Sequence, residues 1–88
     1  MRKRIPKFVD FPFGYEVEIR QLPRSKFVEE CGTECYACWE SGDSGGVIFL
    51  DKSRPIKKRR ADLAHEILHA AADFEARLLG SELAEAKG

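Results

Sequence analysis

No stretch of this sequence approaches the roughly 20 consecutive apolar residues that a membrane-spanning helix requires. Charge of one sign is also missing. Fifteen Lys and Arg balance fifteen Asp and Glu, so no overall field draws the chain to nucleic acid or to an acidic membrane. Cysteines number only three; an odd, small count argues against a disulfide framework and for a reducing, cytoplasmic setting. The basic opening MRKRIPKFVDFPFG is followed by no apolar run that could serve as a secretory h-region. Repeats and low-complexity tracts are absent, which excludes solenoids and fibrous folds.

What remains is 88 residues, 43% of them apolar. That is enough for one small core, near the size where a single core is only marginally sufficient. Residues 1–88 are therefore expected to form a single domain. Within it, Pro6, Pro12 and Gly14 make residues 1–14 an irregular arm whose Phe8, Phe11 and Phe13 cap the core. Tyr15 to Arg20 alternates apolar and charged residues, the period of a half-buried strand. Residues 24–34 read as a polar connection with at most a helical turn. Cys35–Glu40 and Gly46–Asp51 read as two strands around the Gly-rich turn 41–45, a hairpin. Ser53-Arg54-Pro55 supplies a helix start, and a helical pattern follows from Ile56 to Leu79. Gly80 and Ser81 then predict a stop and a fresh cap for a short last helix. Strands before helices give an α+β fold: a three-stranded sheet with a hairpin, a long helix and a short C-terminal helix.

The hairpin turn spells GDSGG, the string around the nucleophilic serine of chymotrypsin-like proteases. Ser44 does not fit that role. Two β-barrels cannot be built from this chain, both histidines follow the serine, and the glycines serve a tight reversal on backbone grounds alone. Ser44 is read as a turn residue. Lys57-Lys58-Arg59-Arg60 is read as a solvated face, since no aromatics interleave it and a helix N-terminus disfavours cations; nucleic acid is not an expected partner. Cys31, Cys35 and Cys38 have iron–sulfur-like spacing but no room for the accompanying barrel, and are taken as small buried hydrophobes with one exposed thiol.

The chemistry concentrates in ADLAHEILHAAADF, residues 61–74. The chain's only two histidines stand four apart, as His65-Glu66-Ile67-Leu68-His69. On a helix this spacing stacks both imidazoles on one face, where they can reach one metal ion. Glu66 projects beside them, able to take a proton from metal-activated water. Ile56, Leu63, Ile67, Phe74 and Leu78 form the expected core stripe, with the histidines nearly opposite it. Asp73 lies one turn past His69 and is read as the acceptor that orients its imidazole.

A hairpin ending in GVIFLD, a Pro- and Arg-containing helix start and then RADLAHEILHAAADF resemble the small zinc metallopeptidases of phages and prokaryotes, the ImmA/IrrE-like and minigluzincin-type proteins. The resemblance covers about residues 36–75. It implies a zincin-like fold, Zn2+ held by His65 and His69, and Glu66 as general base. It also implies a third ligand, a glutamate on the following helix. Glu82 is the choice, with Glu85 and Glu75 in reserve, and Glu82 can return only if the motif helix ends early. The expected activity is peptide hydrolysis, with the strand at 46–51 pairing with an extended peptide or protein substrate. The alternative is a zinc-binding, non-catalytic relative that serves as a partner-binding module.

Overall fold

The computed structural model describes residues 4–87, and the side chains of residues 4–80. Four strands and two helices follow in the order β1 (Phe8–Asp10), β2 (Glu16–Leu22), α1 (Arg24–Cys31), β3 (Ala37–Gly42), β4 (Gly45–Asp51) and α2 (Ile56–Lys87). The class is α+β, as expected, but the sheet has a fourth strand in the order β1-β2-β4-β3. The addition is β1, a three-residue strand antiparallel to β2 inside the arm read as irregular. β2 and β4 run parallel at the centre, Glu16 opposite Gly45 through Leu22 opposite Asp51. β3 closes the hairpin and forms an outer edge of the sheet.

Two glycines make that arrangement fit. The turn is shorter than expected, only Asp43 and Ser44 between paired Gly42 and Gly45. Gly45 has φ 141°, and a Cβ there would overlap the Glu16 backbone, so only glycine lets β4 begin against β2. At Gly46 a Cβ would overlap the Glu40 carbonyl oxygen and the Trp39 ring, which lies across this position. The GDSGG string thus serves backbone proximity, and the Ser44 carbonyl accepts the Glu16 N–H at 3.0 Å.

One face of the sheet buries Tyr15, Val17, Ile19, Ile48 and Leu50 under Leu63 and Ala70 of α2. On the other face α1 packs against β4 and β2 and buries Phe27 completely; strand alternation turns Phe49 to that side. Of the three arm phenylalanines only Phe11 joins the core, its ring centroid 5.3 Å from those of Tyr15 and Phe74, whereas Phe8 and Phe13 are exposed.

Two further expectations are corrected. α2 does not stop at Gly80. One glycine costs a helix about 1 kcal/mol, and Leu78-Leu79 before it and Glu82-Leu83-Ala84-Glu85-Ala86 after it are good helix formers, so one 32-residue helix results. The cysteines are not all reduced either. Cys31 ends α1 on the face to which Cys38 points from β3, with 6.1 Å between Cα atoms, and the two form a disulfide. Cys35 remains a free, half-buried thiol, its Sγ 3.1 Å from the Cys31 carbonyl oxygen. This pair corrects the reading of all three cysteines as unpaired hydrophobes. Among the described residues no helix is long and apolar enough to cross a membrane.

Candidate metal centre

The launch of α2 is fixed by a buried carboxylate. Asp51, the last residue of β4, is 2% exposed. It accepts the Ser53 N–H at 2.9 Å and hydroxyl at 2.6 Å, and the Arg24 guanidinium at 2.8 Å. Burial alone pushes this carboxyl upward, but the two Ser53 bonds and Arg24 outweigh it and hold it below the usual carboxylate range. The β4–α2 turn is thereby held in place and tied to α1.

The rotation of α2 over the sheet differs in part from the expected one. Leu63, Glu66 and Ala70 are the buried positions, with Ile67 and Phe74 partly buried beside them, while Ile56 and Leu78 are exposed. Glu66 therefore sits in the sheet-facing stripe, only 9% exposed. At about 100° per residue, His69 lies about 60° and His65 about 100° round the helix from Glu66, both on the side away from Ile67 and Phe74. Measured from the middle of the buried positions, about 55° from Glu66 on the Ile67 side, His69 lies about 115° and His65 about 155° away, so His65 is nearly opposite the core stripe, as expected, and His69 lies to its side.

Neighbouring contacts differ on the two sides of α2. Phe74 meets Tyr15 and Phe11, toward β1 and β2. On the histidine flank, Asp62 pairs with Arg54 at 3.0 Å, and the Arg54 guanidinium stacks 3.8 Å over the Tyr36 ring at the entry to β3. Asp62 is thus linked through Arg54 to the entry of β3.

The two imidazole centroids are 5.0 Å apart with planes at 83°. Ligand atoms of His65, Glu66 and His69 all lie within 4.8 Å of one another, both histidines exposed and Glu66 buried. Among the described residues this is the only such group of three. Two imidazoles and an adjacent carboxylate suit a borderline ion such as zinc, so the donor set fits the metal that the motif implies.

The remaining sequence-derived residues do not join the group. Asp73 is engaged elsewhere: its Oδ2 lies 2.7 Å from the Tyr15 hydroxyl and 2.9 Å from Arg77 Nε. No hydrogen bond links it to His69, so it does not orient that imidazole. The cause is the helix rotation, which aims Asp73 at the start of β2. Tyr15 also reaches the Ala70 carbonyl oxygen at 3.1 Å. Its burial, and then the Asp73 carboxylate, push the phenol well above its ordinary value against the weaker opposing effect of Arg77. Glu75 is exposed, about 9 Å along the axis past His69. The early break that Glu82 needed is absent. The continuous helix carries its backbone about 20 Å beyond His69, and the side chains of Glu82 and Glu85 lie outside the described residues. The β-addition strand is corrected as well: β4, including 46–51, is paired on both sides, and the outer strands of the sheet are β1 and β3.

Sequence reasoning did not single out Tyr15 or Arg77. Tyr15 was visible only as the first apolar position of a strand, and Arg77 bonds the Gly42 and Asp43 carbonyls through contacts 34 and 35 residues apart in sequence, which no local pattern encodes. Comparison with protein-family models, with curated proteins and with solved structures returns no match to this chain.

Proposed function

We propose that this chain is a zinc-dependent peptidase of zincin-like design, with His65 and His69 as metal ligands and Glu66 as general base. One observation carries the reading: the ligand atoms of two imidazoles and a carboxylate lie within 4.8 Å of one another on α2. A bound zinc ion would supply Lewis acidity that activates water and polarises a carbonyl. His65 and His69, one helical turn apart, would hold it from α2. Glu66 would accept a proton from the attacking water and return it to the leaving amine. The outer edge of β3, residues 37–42, offers backbone N–H and C=O groups to align an extended peptide.

The test is zinc stoichiometry by elemental analysis together with peptidase assays of wild type, His65→Ala and Glu66→Gln. The reading expects one zinc per chain, lost in His65→Ala, and hydrolysis abolished in Glu66→Gln with zinc retained. A metal-free wild-type protein refutes it. A second reading, non-catalytic zinc binding, is favoured by a specific observation: among the described residues no ligand beyond His65, Glu66 and His69 joins the group, so Glu66 is the one carboxylate there that could serve as a ligand. Stoichiometric zinc with no cleavage of any peptide library selects that reading.

A further inference from the structure

A pocket of about 250 Å³ opens between α2 and the β3–β4 turn, on the flank of α2 opposite the histidines, and the hydrolytic reading makes no use of it. Phe13, Tyr15, Phe74 and Leu78 give it apolar walls. Its charged lining is Asp43 and Arg77, and the two are not equivalent. Arg77 is occupied: it pairs with Asp73 at 2.9 Å and donates to the Asp43 and Gly42 carbonyl oxygens at 2.8 and 2.5 Å. The Asp43 carboxylate has neither hydrogen bond nor ion pair among the described residues. With Arg77 cancelled by Asp73, the pocket carries one net negative charge, located at Asp43.

The aromatic walls point the same way. Ring faces attract cations, and Tyr15 already holds the Arg77 guanidinium 5.3 Å from its centroid. Phe13 adds an independent observation. It is 84% exposed and has φ 65°, a backbone conformation that a bulky L-residue rarely takes. Core burial does not explain keeping a phenylalanine there, while a ring at the rim of a cation-binding pocket does. An anionic ligand would face Asp43 with Arg77 already engaged, and a purely apolar one would leave that carboxylate without a partner.

We propose that this pocket binds a lysine or arginine side chain of a partner polypeptide, its methylene stem against Phe13 and Phe74 and its cationic head at Asp43. The site is independent of the metal reading. The test is ¹⁵N-detected NMR titration with N-acetyl-lysine-N-methylamide and its arginine counterpart, against the norleucine analogue, which keeps the stem without the charge. The expected result is saturable shifts confined to residues 13–15, 42–46 and 74–78, with norleucine about tenfold weaker. Asp43→Asn should lose a similar factor. Phe13→Gly should weaken binding while leaving Tm unchanged or raised, because glycine accepts φ 65° freely. Equal binding of norleucine, preference for the glutamate analogue, an unaffected Asp43→Asn variant or no saturable shift each overturns the proposal. A fall in Tm for Phe13→Gly would assign that ring to the fold and overturn its place in the pocket.

Discussion

Replacing Asp51 by Asn tests how much one buried carboxylate at the β4–α2 turn contributes to the fold. Asp51 accepts three bonds, two from Ser53 and one from Arg24, at a site only 2% exposed. Asparagine keeps the shape but one acceptor oxygen, so it can satisfy Ser53 or Arg24 and not both. If the Ser53 pair is kept, each of its bonds falls from charge-assisted to neutral strength, a loss of about 1 kcal/mol apiece. The Arg24 side chain is 39% exposed and regains water when released, so that pair is discounted to about 1 kcal/mol. The total is about 3 kcal/mol, from a stability of roughly 4–13 kcal/mol for a chain of this length. Tm should fall by roughly 12–24 °C. Urea unfolding followed by Trp39, the only tryptophan, measures the change directly. The pH dependence provides a second reading. The folded carboxyl lies below its unfolded value of about 3.9, so its contribution is complete above that pH and is lost as pH falls through the lower, folded value. Wild type should lose stability below about pH 4 through this group, and the asparagine variant should lack that component. A loss under about 0.5 kcal/mol, the level of an ordinary surface change, or an unaltered acid limb, refutes the argument.

Gly46→Ala forces a methyl into the Glu40 carbonyl oxygen and the Trp39 ring, and should cost at least about 2 kcal/mol, with a shift in Trp39 emission. Tyr15→Phe removes the hydroxyl between Asp73 and Ala70 and should cost about 1 kcal/mol in urea unfolding. Because the Tyr15 pKa is raised in the fold, its contribution is intact below the unfolded value of about 10 and is lost as pH climbs above it, so the variant should lack that alkaline component. Zinc at a hundredfold excess over its Kd should stabilise the folded chain by about 2.7 kcal/mol, a Tm rise of roughly 11–22 °C that vanishes in His65→Ala; equal shifts in both proteins would place the ion elsewhere.

The elements that sequence patterns capture best are those with long, clean periods. The alternation in Tyr15–Arg20 announced β2, the two apolar runs around GDSGG announced the hairpin, and the His65-to-His69 spacing announced a shared face. What escaped lacked a local signal. Phe8–Asp10 is too short to show a period, and Arg24–Cys31 offers only Phe27 and Val28 as apolar neighbours. The register of α2 escaped for another reason. Contacts that hold this part of the fold, Asp51 to Arg24 and Asp73 to Tyr15, join residues 27 and 58 positions apart, which no local pattern encodes. Glu66 entered the buried stripe and Asp73 left His69.

The Cys31–Cys38 link spans the exposed crossover that follows α1. A protease that nicks the backbone at Gly32, Thr33 or Glu34 would open a covalent ring and release nothing. Seven rungs of parallel pairing between β2 and β4 would still clasp the two pieces, and their separation would require both a reductant and a denaturant.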